Sequence, residues 1–67
     1  MKKVRLRIKE LREEFGYKQQ FVASYLKIKQ NTYSQYENKK REIPLELLVA
    51  LAELYNTSTD YILGLID

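Results

Sequence analysis

Residues 28–41 read IKQNTYSQYENKKR, a row of amide and hydroxyl side chains fenced by lysines in a chain otherwise rich in apolar residues. On a helix turning about 100° per residue, Tyr33 and Tyr36 fall together, while Gln30, Asn31, Ser34, Gln35 and Asn38 occupy an opposite arc of roughly 140°. The tyrosines, with Ile28 just before them, are expected to plug a core. The other arc is a strip of amides and a hydroxyl, flanked by Lys29, Lys39, Lys40 and Arg41. Amides are poor choices for a merely solvated face, where Glu and Lys favour both helix and solubility. They suit base edges, because one amide offers a donor and an acceptor matching adenine N6 and N7 in the major groove. The cations around them would supply phosphate affinity without sequence information. A plainly exposed polar face stays open as the alternative at this point.

Outward from that stretch, helical spacing continues in both directions. Val4, Ile8, Leu11 and Phe15 share one face of a first helix, and Gly16 can take the left-handed conformation that ends it. The segment QQFVASYL at 19–26 sets Val22, Ala23 and Leu26 on one side of a second. A third runs from about Gln30 to Asn38. Pro44 opens a fourth, LELLVALAELY, with Leu45, Leu48, Leu51, Ala52 and Tyr55 on one face. The break NTST at 56–59 offers Thr57 or Ser58 as the cap of a last helix through Tyr61, Ile62 and Leu63, ended by Gly64. No run alternates as a strand would. The reading is an all-α fold of five short helices in a single domain over residues 1–67, without linker or repeat.

Sixty-seven residues permit one modest core, and 45% hydrophobic content is ample for it. The chain has no Cys and no His, so packing alone must hold the fold, and the usual zinc ligands and the commonest general base are missing. A cysteine-free chain is at home in a reducing cytoplasm, the expected location. No apolar run approaches the roughly 20 residues of a membrane span, and the basic start MKKVRLRIKELREE lacks the apolar stretch of a signal peptide. All 12 Lys and Arg lie in residues 1–42 against five acids, giving 12 − 5 = +7, while residues 43–67 hold four acids and no base, giving −4. Half the chain should therefore attract polyanions. With no Gly-rich phosphate loop, and with Glu13 and Glu14 adjacent rather than convergent, enzymatic activity is not expected.

The stretch from Arg5 to Gly64 resembles the phage-repressor and Cro type of helix-turn-helix, the XRE family. The resemblance rests on Ile8-x-x-Leu11-Arg12-Glu13-Glu14-x-Gly16, Gln19-Gln20-x-Val22-Ala23-x-x-Leu26 and Thr32-x-Ser34-x-Tyr36-Glu37. Pro44-Leu45-x-x-Leu48-x-x-Leu51-Ala52 and Asp60-Tyr61-Ile62-Leu63-Gly64 complete it. It implies a lambda-repressor-like DNA-binding domain with the helix-turn-helix proper at about 19–38. By position, Gln30, Asn31 and Gln35 match base-contacting residues. Gln19 matches a residue that contacts a phosphate and braces the recognition helix. Thr32 and Ser34 match positions that reach a phosphate or a thymine methyl, and Asn38, Lys40 and Arg41 match the backbone-contacting loop. Lys29 and Lys39 are expected at the DNA backbone for their charge. Arg12 and Glu37 match a structural pair joining the first helix to the third, and Ala23 the small residue at the helix crossing. Lys27 and Lys39 replace the glycines usual at two turns, and a positive φ at either would cost about 1 kcal/mol. Lys29 replaces the Ser or Thr that commonly caps the third helix, a loss on the order of 1 kcal/mol.

The resulting expectation is a cytoplasmic, sequence-specific double-stranded DNA-binding transcriptional regulator, a repressor, acting as a homodimer on an inverted repeat. No cofactor, metal, membrane or small-molecule ligand is expected. The dimer contact is expected at Tyr61, Ile62, Leu65 and Ile66, too apolar for a solvated end. The rival reading is a protein-interaction module, such as an antitoxin or adaptor with secondary DNA binding, for which Phe21, Tyr25 and the tail Ile62, Leu63, Leu65 and Ile66 would be candidates. Partial burial of Phe21 and Tyr25 against the first helix is the expectation.

Overall fold

The computed structural model describes residues 5–66. Five helices follow one another: α1 (Ile8–Glu14), α2 (Gln19–Leu26), α3 (Gln30–Glu37), α4 (Leu45–Leu54) and α5 (Thr59–Ile62). None of the described helices is long and apolar enough to cross a membrane. Their buried faces converge on one core of Ile8, Leu11, Val22, Ala23, Leu26, Tyr33, Tyr36, Leu48, Leu51, Ala52, Tyr55 and Ile62. Ala23 is 2% exposed on the buried face of α2, the helix that packs against α3.

All five helices end the same way. The residue after each last turn takes a left-handed conformation: Gly16, Lys27, Lys39, Asn56 and Gly64, with φ between 51° and 74°. Each following residue donates its N–H back across the turn, as Tyr17 to Arg12 O (3.0 Å), Ile28 to Ala23 O (3.0 Å), Lys40 to Gln35 O (2.9 Å), Thr57 to Ala52 O (2.9 Å) and Leu65 to Asp60 O (2.9 Å). These Schellman closures satisfy carbonyls that a helix end otherwise orphans. Helix starts are less uniform. Ser58 Oγ accepts from Tyr61 N at 3.1 Å and caps α5, whereas Lys18, Lys29 and Pro44 cap α2, α3 and α4 with no side-chain bond.

Several expectations need correction. Helical structure begins at Ile8, and Val4 lies outside the described residues. Residues 5–7 instead run beside the C-terminal end, Arg5 N donating to Leu63 O (2.9 Å) and Arg7 N to Ile62 O (2.8 Å). Phe15 caps α1 from beyond its last turn, 46% exposed, with its ring edge-on to Tyr55 at 5.0 Å. Leu45 is 73% exposed: it is the first residue of α4, and Leu47 packs against the core instead. Phe21 and Tyr25 are exposed rather than tucked under α1.

Candidate nucleic-acid interface

α2 and α3 are joined by Lys27, Ile28 and Lys29. The turn reverses at Lys27, φ 60°, and Ile28 packs against the core beneath it. α3 is held from inside by Tyr33, fully buried, and Tyr36, 5% exposed. Gln30, Asn31 and Asn38 are exposed, and Thr32, Ser34 and Gln35 are half-buried. The amide strip is therefore the side of α3 turned from the core. Asn38 Nδ2 donates to Ser34 Oγ at 3.3 Å, tying the end of the strip to its middle. Lys29 precedes the strip, and Lys39, Lys40 and Arg41 follow it, all four exposed.

What fixes α3 against the rest of the domain is one buried carboxylate. The Glu37 side chain is 1% exposed. Arg12 Nε donates to Glu37 Oε2 at 2.7 Å and Arg12 Nη2 to Oε1 at 3.2 Å, a forked contact from α1 to α3. Gln19 Nε2 donates to the same Oε1 at 3.0 Å, bringing in the first residue of α2. Arg12 Nη1 reaches Tyr17 O at 3.0 Å. Three helices thus share one anion.

The electrostatics follow from that arrangement. Burial pushes the Glu37 carboxyl up, but bonds from Arg12 and Gln19, with the Tyr33 hydroxyl close by, more than reverse this and hold it below the usual carboxylate range. The bond to Glu37 raises the Arg12 guanidinium further. Burial, with Glu37 nearby, drives the Tyr33 hydroxyl far up, and burial pushes Tyr55 to about 12. Tyr33 is near enough to favour the charged Glu37 yet closes no hydrogen bond of ordinary geometry, as is true of the buried Tyr55 hydroxyl. Both tyrosines belong to this polar centre, and neither is legible in sequence as more than a core aromatic. Gln19, taken as a backbone contact and brace, has one amide hydrogen committed to Glu37.

The four residues expected at a dimer contact are not equivalent. Ile62 is fully buried in its own core and is withdrawn from that set, because a side chain without exposed surface has none to offer a second copy. The Tyr61 ring lies under the Arg7 guanidinium at 4.5 Å, and Arg7 Nη2 donates to Ile66 O at 3.0 Å. Tyr61 and Leu65 are half-buried; Ile66 is 49% exposed.

A helix-turn-helix family model matches residues 8–62, which takes in all five helices. The HTH-type transcriptional regulator ImmR of Bacillus subtilis (strain 168) is 45% identical over 58 residues, 87% of this chain and 46% of that protein. The HTH-type transcriptional regulator AnsR of the same organism is 40% identical over 58 residues, 87% of this chain and 50% of that one. YobD, an uncharacterized HTH-type transcriptional regulator from it, is 39% identical over 61 residues, 91% and 54% of the two chains. The chain spans about half the length of the curated relatives it matches. No solved structure matches it. With α2, the turn at Lys27 and the outward α3 in this order, the chain belongs to the XRE-type helix-turn-helix family.

Proposed function

We propose that the chain is a cytoplasmic transcriptional regulator, a repressor, that binds double-stranded DNA by setting α3 in the major groove. The observation that carries this is the division of α3. One side is locked by Tyr33, Tyr36 and Glu37, and the other presents amides with no structural duty beyond the Asn38–Ser34 bond. In this reading Gln30, Asn31 and Gln35 meet base edges, while Gln19, Lys29, Thr32, Ser34, Asn38, Lys39, Lys40 and Arg41 hold the backbone. The starts of α2 and α3 carry no side-chain cap, which leaves N–H groups available to phosphate oxygens. One domain of this size reads few base pairs, so the reading includes a homodimer on half-sites about one helical turn apart. Ile66, with Tyr61 and Leu65 beside it, is its contact.

Selection from random duplex DNA at controlled salt is the test, and a palindromic consensus is the expected result. Gln30→Ala should weaken binding by about 1–3 kcal/mol and relax preference at one base pair, whereas Lys40→Ala should weaken all sequences alike and lower the salt slope by about one. Sequence preference unchanged by Gln30→Ala would remove the base-reading role. A second reading, a partner-binding module, draws on the exposed rings of Phe15, Phe21 and Tyr25. Salt-sensitive binding without any consensus would favour it.

A further inference from the structure

On the flank of the domain, beside the end of α3, a groove of about 550 Å³ opens between the N-terminal segment, the loop after α3, α4 and the C-terminal end. Leu6, Tyr36, Ile43, Leu48 and Leu63 line it with apolar surface, and Lys39, Lys40, Arg41 and Glu42 line the rest. The volume is within the range of small-molecule pockets, which run roughly 300–1,000 Å³. Its charge is one-sided, three cations against one carboxylate. Among the described residues, the side chains of Lys39, Lys40 and Arg41 make no ion pair or hydrogen bond. The N–H groups of Arg41, Glu42 and Ile43 also find no acceptor among the described residues. An apolar floor beside unneutralised cations and free amides is complementary to a molecule with an apolar body and an anionic head.

We propose that this groove binds a small amphipathic anion, its apolar body on Leu6, Ile43, Leu48 and Leu63 and its head on the 39–43 segment. Resting on the reading above, in which Lys39, Lys40 and Arg41 hold the DNA backbone, the bound anion and DNA draw on the same cations. The ligand then weakens DNA binding across all sequences instead of changing base preference.

The test is titration of the whole chain, without DNA, followed by amide and methyl NMR. Decanoate is the probe, below its micellar concentration. Acetate supplies the head alone, and decyltrimethylammonium the same chain with the opposite charge. Saturable shifts confined to residues 39–43 and the methyls of Leu6, Leu48 and Leu63, seen with decanoate alone, are expected. Arg41→Glu and Ile43→Ser, each checked for an unchanged fold by its remaining resonances, should each weaken decanoate several-fold. Equal shifts from acetate, equal shifts from the cationic detergent, or shifts spread over the domain would overturn the site. Saturation by an acidic apolar peptide where decanoate has no effect would assign the groove to a protein and overturn the small-molecule ligand. A chain that takes decanoate but no duplex DNA keeps the site and removes the DNA reading. A chain that binds DNA and shows no saturable groove shifts does the reverse.

Discussion

α3 and α4 are neighbours in sequence and are held in place by different physics. α4 packs Leu48, Leu51, Ala52 and the following Tyr55 against the core, and no hydrogen bond from its side chains is needed to position it. α3 has two core tyrosines, and its remaining hold is the Glu37 carboxylate shared with Arg12 and Gln19. Apolar burial is non-directional and tolerates small rotations of a helix. A forked ion pair sets both angle and register. A helix whose outer face must meet another molecule in one orientation gains from the second kind of hold, and a scaffold helix does not need it.

The comparison can be broken most directly at Glu37. Glu37→Ala strands the guanidinium of Arg12, whose side chain is only 13% exposed, and should cost about 3–5 kcal/mol in chemical denaturation. The pH dependence is equally specific. Because the folded carboxyl is held below its unfolded value of about 4.3, its stabilisation is present above that pH and is lost as pH falls through the lower folded value. Glu37→Gln should flatten that part of the stability–pH curve. Leu51→Ala in α4 should cost about 2–5 kcal/mol, with no change in the pH profile. An equal loss of acid dependence in that variant would erase the distinction between the helices. Next in size are the turns that bound α3. Lys27 and Lys39 hold φ near 60° without being glycine, so Lys27→Gly or Lys39→Gly should each stabilise the domain by about 1 kcal/mol. Smallest is Leu45→Ser at the exposed start of α4, which should move the denaturation midpoint by less than about 0.5 kcal/mol. A larger loss there would mean that Leu45 is covered in solution.

Sequence carried the five helices and the two-sided character of α3 because both are periodic: Tyr33 and Tyr36 declare the inner face three residues apart. It also carried the Arg12–Glu37 pair, though through family resemblance and not through spacing. It did not show that all five helix ends close alike, since only Gly16 and Gly64 advertise a left-handed residue while Lys27 and Lys39 reach it against their propensity. Phe15 and Leu45 obeyed the period yet sit at helix ends, where the core no longer covers the face. Ile62 looked surplus at the tail because its cover comes from other parts of the chain. The Tyr33 and Tyr55 hydroxyls joined a polar centre that tertiary contact alone creates.

The pairing of residues 5–7 with the C-terminal end has a consequence for how the domain assembles. Arg5 and Arg7 donate to Leu63 and Ile62, Arg7 reaches Ile66 across 59 residues of sequence, and a Cβ on Gly64 would stand 2.6 Å from Arg5 O. Among the described residues these bonds close the longest loop, and the entropic cost of closing a loop grows with its length. α2, α3 and the turn between them draw on neighbours in sequence, whereas the clasp needs the two ends of the described chain brought together. Residues 5–7 and 62–66 therefore lie side by side, and a fold made almost wholly of local helices carries its least local contacts there.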